Sequence, residues 1–356
     1  MRPLSATECI SPAIDRTKLL LFSPFRKGRS WKLCATSYLC FVGSIYFPFP
    51  LIFLAFIPMV RSAGAIAIAA LITVAVLGLA LLTWVFHLCS HLQFVYFDMV
   101  ANRSEFVRPS WRKFRGRVLP FTVLKMALGL GMTAIFATPL AALAPQILPI
   151  IKHMAARAPG QPPPPEFLAI FYGSYAIFVL VFGLGMLVCG LLADFLVPSL
   201  ALENTSLREA FHRMDALIRQ EPGQFALYVL LKTVLGLVAY FAAIMLWEIA
   251  FFLVTFVVGG AVFVLGFLLH LAGVPSIALA VPGIFLAVVW YIFASIYVLA
   301  FAIGPVFTWM EAYAIYFLGG RYPMLGDMLD LSTPPPVAPA FQPYAPAYPP
   351  PVPPTA

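Results

Sequence analysis

Long apolar segments alternate with short polar segments along the whole chain. The clearest polar segment, 199–222, contains a predicted amphipathic helix with charged residues on its other side. Its apolar residues recur at helical spacing: Leu207, Ala210, Phe211, Met214, Leu217 and Ile218. Ser206 and Glu209 have the spacing of a capping box, and Pro222 follows the helix. Lying between two spans, this helix is expected in the membrane interface; the alternative is packing on a soluble domain.

Six apolar segments are long enough to cross a bilayer, which needs about 20 apolar residues. They are predicted at about 31–59, 63–100, 118–141, 167–197, 225–258 and 277–318. Pro48 and Pro50 predict a kink or a broken helix in the first. The second exceeds the hydrocarbon thickness, so its end should emerge as a helix. Residues 142–166 are rich in proline and predict a loop on the opposite side.

Residues 224–272 contain only two charged residues, Lys232 and Glu248, and are too long for one upright span. We predict a break at Gly259 and Gly260, followed by an interfacial or re-entrant segment. The alternative is two full spans joined by a tight turn, which would make seven spans in all.

The domain organisation follows from these segments. Residues 1–30 are predicted to be a cytoplasmic amphipathic segment, in which Ser11 and Pro12 begin a helix over 11–22. Residues 31–322 form the membrane domain. Residues 323–356 form a tail so rich in proline that we expect polyproline II or disorder. This tail is also a candidate ligand for an aromatic-lined groove of a partner protein.

Composition restricts the class of protein. Of 356 residues, 62% are hydrophobic and 10% are charged, too few charges to cover a soluble surface. The N-terminus lacks the apolar region of a cleaved signal peptide, so we expect the first span to act as an uncleaved signal. The five cysteines form no CxxC motif, which argues against a disulfide framework or a structural zinc site. The sequence therefore indicates an all-α integral membrane protein.

Positive charge predicts the orientation. Of the 22 Lys and Arg residues, all but Arg61, Lys152 and Arg157 fall on one predicted side. The positive-inside rule places both termini in the cytoplasm and arranges six spans as three hairpins. We name the segments 11–22, 101–117 and 199–222 the elbows. Candidate residues for binding anionic lipid, with no nucleic-acid partner expected, are Arg103, Arg108, Arg112, Lys113, Arg115, Arg117, Arg208, Arg213 and Arg219.

An internal repeat supports this arrangement. Residues 119–130 align without gaps to 226–237, which places Lys125 opposite Lys232 within a shared L-K-x-x-L-G-L motif. Trp31–Leu33 occupies a similar place near the first span. The alternative is chance alignment of leucine-rich segments.

Several ionisable residues lie in or at the ends of the predicted spans, where an isolated charge is costly and marks a functional candidate. They are Asp98, Lys125, Asp194, Lys232, Glu248 and Glu311. The alternative is that all but Glu248 lie near an interface. We predict that at least one of Asp98 and Asp194 lies within salt-bridge distance of Lys125 or Lys232. Otherwise each lysine extends alone to lipid phosphates.

Motifs for catalysis or cofactor binding are not evident. His87 and His91 are spaced to share a metal, but no third ligand has a diagnostic spacing, so interfacial histidines are favoured and no cofactor is expected. The pairs Gly129–Gly131 and Gly183–Gly185 are predicted helix-packing sites rather than nucleotide loops. We therefore expect a protein that is not an enzyme.

Short motifs resemble a group of uncharacterised prokaryotic multi-pass proteins. That group is similar in turn to the membrane domain that accompanies some glycerophosphoryl diester phosphodiesterases. The motif residues are Ser11–Ile14, Leu21–Phe22, Pro24–Phe25, Asp194–Pro198, Glu209–Ala210, Pro222–Phe225, Pro305–Phe307 and Tyr316–Gly319. The phosphodiesterase activity of that group belongs to a separate soluble barrel, which nothing here resembles. The resemblance implies a membrane module without an assigned activity.

The function expected from sequence is to organise lipid or partner proteins at the cytoplasmic leaflet. The alternative is a transporter with an ionisable intramembrane site around Glu248, although the repeat shows no inverted symmetry. An intramembrane enzyme would need a catalytic constellation that the sequence does not show.

Overall fold

The computed structural model describes residues 2–23, 25, 27–56, 64–104, 106–155, 163–203 and 205–329. Within these residues the regular structure is helical and no strand occurs. The α-helices are α1 (Ile10–Leu21), α2 (Lys27–Val42), α3 (Ala65–Asn102), α4 (Val107–Phe114), α5 (Val118–Ala155), α6 (Pro165–Leu202), α7 (Leu207–Gln220), α8 (Pro222–Leu271), α9 (Ser276–Gly319) and α10 (Pro323–Leu329). A short 3₁₀ helix covers Phe49–Phe56.

Five helices are long and apolar enough to cross a membrane. They cover Ala65–Asn102, Val118–Pro139, Pro165–Leu202, Pro222–Leu271 and Gly283–Gly319. Large apolar side chains on them, such as Phe252, Phe256 and Phe263, are more than half exposed. Exposed apolar surface of this extent suits contact with lipid and not with water. The class predicted from sequence, an all-α multi-pass membrane protein, is confirmed.

The first predicted span, 31–59, is not one helix. Helix α2 ends at Val42, and a 3₁₀ helix begins at Phe49 between Pro48 and Pro50. Proline removes a backbone donor and clashes with the preceding turn, so two prolines only two positions apart disfavour a continuous helix here. Residues 57–63 lie outside the described residues.

The predicted break at Gly259 and Gly260 is wrong. Helix α8 runs without interruption for 50 residues, from Pro222 to Leu271, so neither a re-entrant segment nor a second span joined by a tight turn forms. Glycine only weakens a helix, whereas a break needs a proline or a competing partner for the backbone. The apolar segment supplies neither, and the helix satisfies its own backbone hydrogen bonds.

Helix α5 also extends beyond its prediction. It continues to Ala155 with Pro139, Pro145 and Pro149 inside it, so the first part of the predicted loop 142–166 is helical. Helices in apolar surroundings tolerate proline when neighbouring groups satisfy the freed carbonyls. Residues 156–162 of that loop lie outside the described residues.

The elbows pack against the ends of the long helices. Ala210 of α7 is fully buried, and Phe211, Met214 and Leu217 are packed on the core. Ser206 Oγ accepts a hydrogen bond from the Glu209 amide at 3.3 Å, so the predicted cap is present. The apolar face of this helix therefore covers protein, a possibility that neither sequence interpretation included.

The N-terminal helix begins differently from its prediction. Helix α1 starts at Ile10, so Ser11 lies inside its first turn and is not its cap. Instead, Ser5 and Glu8 exchange hydrogen bonds in the turn before α1: the Ser5 amide donates to the Glu8 carboxylate at 2.8 Å, and the Glu8 amide donates to Ser5 Oγ at 3.3 Å. This reciprocal pair is a capping box that the sequence reading missed.

The core lies at the end of the molecule where the elbows pack. Phe94, Phe97, Leu196 and Phe317 are buried there. The segment assigned to the tail starts with α10, whose Leu325 and Leu329 join this core. Residues 330–356, with most of the proline-rich sequence, lie outside the described residues.

Candidate functional site

An ion pair joins α6 to α8 in the interior. Lys232 Nζ donates to Asp194 Oδ2, and the Tyr228 hydroxyl donates to the same carboxylate at 2.9 Å. The Lys232 and Asp194 side chains are 13% and 4% exposed. An opposite charge and two donors relieve the cost of burying the carboxylate. The prediction that one aspartate would reach one of the repeat lysines is confirmed by this pair.

The second lysine of the repeat has a different environment. Lys125 is completely buried and donates to the Gly43 carbonyl and to Gln93 Oε1, the latter at 3.1 Å. Its ammonium also lies 4.8 Å from the centre of the Phe86 ring. Asp98, which could have paired with it, accepts instead from Lys113 Nζ at 3.1 Å. Only one of the two predicted aspartate positions therefore pairs with a repeat lysine.

Both lysines nevertheless reach back in the same way. Lys125 on α5 contacts α3, and Lys232 on α8 contacts α6, so each bonds to the long helix that precedes its elbow. Gln93 lies seven residues before Val100, and Asp194 lies seven residues before Ala201.

The backbone carbonyls of Val100 and Ala201 each accept a hydrogen bond from an arginine side chain. Arg16 donates to the Val100 carbonyl at 2.9 Å and to the Ala101 carbonyl, and Arg117 donates to the Ala201 carbonyl at 2.7 Å. The bond from Arg16 to Val100 and the bond from Arg117 to Ala201 each span 84 residues. Arginine at a helix C-terminus satisfies carbonyls that lack an intrahelical partner. Burial lowers the pKa of the Arg16 guanidinium.

The third elbow reaches the end of α9 through an ion pair. Glu221, directly after α7, binds Arg321 at 2.6 Å, and Arg321 in turn donates to the Phe317 carbonyl at 2.8 Å. Each elbow thus contacts the C-terminal end of the second helix in the hairpin that follows it: α3, α6 and α9 in turn.

The glycines of the repeat allow close helix packing. A Cβ atom on Gly129 would lie 2.1 Å from the Tyr46 carbonyl oxygen, and one on Gly236 would lie 2.6 Å from Met310 Cε. Gly185 is similarly close to Ile45, whereas Gly131 and Gly183 meet nothing within 4 Å. One glycine of each predicted pair is therefore a close-packing position.

A half-enclosed cavity of about 280 Å³ lies beside the Asp194–Lys232 pair. The helices α2, α3, α6, α8 and α9 supply its walls. Its polar lining residues are Ser37, Ser44, Gln93, Tyr96, Asp194, Lys232 and Glu311. Met186, Leu187, Phe307 and Met310 form much of its apolar wall. We name this space the polar cavity; it is the candidate functional site.

The other ionisable candidates lie elsewhere. Glu248 is exposed on α8 and does not line the polar cavity. His87 contacts Thr122 at 3.2 Å, and His91 contacts the Trp111 carbonyl at 2.9 Å while stacking on its ring. Within the described part of the chain, no three potential metal ligands come together.

Some elbow cations bond to other groups of the protein, and others are exposed. Arg117 caps α6, Lys113 binds Asp98, and Arg213 binds Glu203 and Glu209. Arg219 binds Asp215 at 2.8 Å but stays exposed, and Arg103 is a partly exposed residue with a φ of 53° at the end of α3. The exposed cations with no acidic partner among the described residues are Arg108, Arg112, Arg115 and Arg208.

Length, composition and exposed apolar helices define a polytopic α-helical membrane protein. The chain matches the model of the family of unknown function DUF7544 over residues 4–328, and it belongs to that family. No curated protein matches it. No solved structure matches it either.

Proposed function

We propose that this protein is a non-enzymatic membrane module that binds anionic lipid through its elbows and organises lipid or partner proteins at the cytoplasmic leaflet. One observation carries the proposal: some elbow cations are used inside the fold, while Arg108 and Arg112 on α4 and Arg115 directly after it stay exposed. Cations held on a rigid helix at the end of a span are placed to meet lipid phosphates.

The proposed topology has six spans as three hairpins in a bacterial inner membrane, with both termini in the cytoplasm. The contacts of Arg16, Arg117 and Arg321 support it, since they bring the three elbows to the ends of the long helices. Arg321 also donates to the Leu4 carbonyl at 2.9 Å, which joins the N-terminal segment to the end of the last long helix. The cation bias favours the cytoplasm as the side of that end.

Lipid binding of this kind has a characteristic energetic profile. Each exposed Lys or Arg near an anionic surface contributes about 1 kcal/mol, and the attraction is screened as salt rises. Three exposed arginines on and directly after α4 should therefore produce a strong preference for anionic over zwitterionic headgroups.

The test uses the full chain reconstituted in vesicles that mix phosphatidylglycerol and phosphatidylcholine. The number of each lipid retained per protein after gentle extraction is measured for wild type and for the triple variant Arg108→Gln, Arg112→Gln and Arg115→Gln. We expect the triple variant to lose most of the phosphatidylglycerol preference. The matched control changes the same three arginines to lysine and should keep it. Equal retention of both lipids by the wild type, unaffected by salt, would refute the proposal.

A transporter is the second candidate function. The polar cavity favours it, because Asp194, Lys232 and Glu311 come together between long helices. Intramembrane ionisable groups around a cavity are a common arrangement for a solute pathway. If this candidate holds, its centre is Glu311 in place of the predicted Glu248, and Glu311→Gln should abolish solute flux into vesicles while leaving lipid retention unchanged.

Two further expectations remain proposals. The resemblance to the membrane domain that accompanies some glycerophosphoryl diester phosphodiesterases is proposed to extend to the fold, with no activity transferred. The proline-rich tail is proposed to bind a protein partner, and deletion of residues 333–356 would remove a partner captured by the full chain.

A further inference from the structure

Glu311 lies on the wall of the polar cavity without a compensating charge of its own. It is partly buried, and none of the described residues forms an ion pair or a hydrogen bond with its carboxylate. Lys232, the cation that shares the cavity, is bonded to Asp194, which also receives the Tyr228 hydroxyl. A carboxylate that is partly withdrawn from solvent in a mostly apolar cavity is unfavourable unless a cation or a proton joins it.

The repeat explains why the Glu311 carboxylate has no lysine partner. Gln93 and Asp194 each receive a lysine from the next helix hairpin, and Glu311 has a similar place, six residues before the capped carbonyl of Phe317. The residues that line the cavity with it from α2 and the turn after it are Ser37, Cys40, Phe41 and Ser44, which carry no charge. Lys32, the lysine that the sequence aligned near the first span, is exposed and does not line the cavity.

The remaining walls of the cavity suit an organic cation. Phe41, Tyr96 and Phe307 line it beside Glu311, and Phe41 stacks on Phe307 with ring centres 4.7 Å apart. Aromatic rings attract ammonium groups, most strongly where water is excluded. Ser37 and Ser44 add hydroxyl oxygens that can accept hydrogen bonds from an amine.

The size of the space argues against a bare metal ion. A cavity of about 280 Å³ holds several water-sized volumes of about 30 Å³ each, so a single ion would leave most of it unfilled. A metal site also needs several ligands at short distance, and the described residues bring no three acidic, histidine or cysteine ligands together.

We propose that the polar cavity is a binding site for a small organic cation, a protonated amine or a quaternary ammonium group, with Glu311 as its counter-charge. The ammonium group lies against Glu311 and the aromatic wall, and the apolar part of the ligand lies against Met186, Leu187 and Met310. The site goes beyond the lipid-binding function proposed above and does not depend on it.

The experiment uses the full chain purified in a neutral detergent. Its thermal unfolding is followed by tryptophan fluorescence with choline, ethylammonium or putrescine added as chloride salts. The uncharged control ligand is 3,3-dimethyl-1-butanol, which has the shape of choline without its charge, and potassium chloride controls for ionic strength. The direct measurement is equilibrium dialysis of labelled choline, ethylammonium and putrescine.

We expect at least one of these cations to raise the unfolding temperature in a saturable way, and the alcohol and potassium chloride to have no such effect. Glu311→Gln should unfold at a similar or higher temperature without ligand, because a partly buried charge with no described partner is removed. It should also weaken binding of the active cation at least about tenfold. Glu248→Gln, which removes a carboxylate outside the cavity, should bind like the wild type.

Three results would each overturn the proposal. The first is that none of the three cations binds or stabilises the wild type, in which case Glu311 carries a proton. The second is equal stabilisation by 3,3-dimethyl-1-butanol, which would show an apolar site without charge recognition. The third is unchanged binding by Glu311→Gln, which would place the cation elsewhere.

Discussion

Lys232 of α8 is bonded to Asp194 of α6, whereas Lys125, its counterpart in the repeat, meets a neutral amide and a carbonyl. The two lysines thus occupy equivalent places with different electrostatic partners. Loss of either ammonium group leaves a different group behind, so the two sites should respond differently to the same substitution.

Replacing Lys232 with Met should destabilise the protein strongly. It leaves the Asp194 carboxylate, which is only 4% exposed, with the Tyr228 hydroxyl as its one described donor. Stranding a buried charge costs about 3–5 kcal/mol. Lys232→Arg should cost much less, and adding Asp194→Asn to Lys232→Met should recover most of the loss. Detergent-denaturation curves measure all three, and equal losses for Met and Arg would contradict the interpretation.

Replacing Lys125 with Met should cost less. Its partners are the Gly43 carbonyl and the Gln93 amide, so the variant leaves unpaired acceptors but no unpaired charge. An unsatisfied buried polar group costs about 1–3 kcal/mol. The same denaturation assay should rank Lys125→Met below Lys232→Met, and the reverse order would show that the charge of Lys125 has a partner of its own.

A methyl group at Gly129 should disrupt helix packing. The added Cβ would lie 2.1 Å from the backbone oxygen of Tyr46, which cannot move without shifting its segment. We expect Gly129→Ala to cost about 1–3 kcal/mol, as overpacking does. Gly236→Ala should cost less, because its neighbour is the flexible end of Met310. Gly131→Ala is the control; its Cβ meets nothing within 4 Å, and alanine favours a helix.

Arg117→Gln should loosen the end of α6. The guanidinium donates to the Ala201 carbonyl at 2.7 Å, and a hydrogen bond from a charged donor contributes about 1.5–3 kcal/mol. Hydrogen–deuterium exchange should rise near residue 205, where Thr205 Oγ1 also bonds to the last turn of α6 through the Ser199 carbonyl. Arg115→Gln, an exposed neighbour, is the control and should leave exchange unchanged.

Acid should open the turn before α1. Hydrogen bonds from Ser5, its backbone amide first, lower the pKa of the Glu8 carboxyl below its ordinary value of 4.5. Above that value the stabilisation is fully present, and it is lost as pH falls through the lowered pKa. The measurement is the ratio of Ser5 amide exchange in wild type to that in Glu8→Gln, which cannot titrate. A ratio that stays constant as the pH is lowered would refute the coupling.

The sequence predicted the class of fold well because apolar length and charge bias are direct consequences of the bilayer. It failed where the predicted end or break of a helix rested on glycine or proline alone. Gly259 and Gly260 do not break α8, and Pro145 and Pro149 do not end α5, since an apolar environment enforces backbone pairing over local propensity.

The candidate site was only partly predictable. Lys125 and Lys232 were visible as repeat positions, and the Asp194 pair followed from desolvation cost. The polar cavity was not, because Ser37, Gln93 and Tyr96 are uncharged and come from distant segments. Arg16 and Val100 are separated by 84 residues, as are Arg117 and Ala201. An alignment on this spacing would have matched Gln93 with Asp194 as equivalent positions of the repeat.

The arginine caps have a consequence for how the chain is assembled. Arg16 and Arg117 are synthesised before the hairpins whose final carbonyls they bind, 84 residues later. Each arginine is thus synthesised before its hairpin, and its bond to that hairpin can form only after the end of the hairpin has been synthesised. A growing chain can complete one hairpin before the next leaves the ribosome, so the order of synthesis and the order of closure coincide.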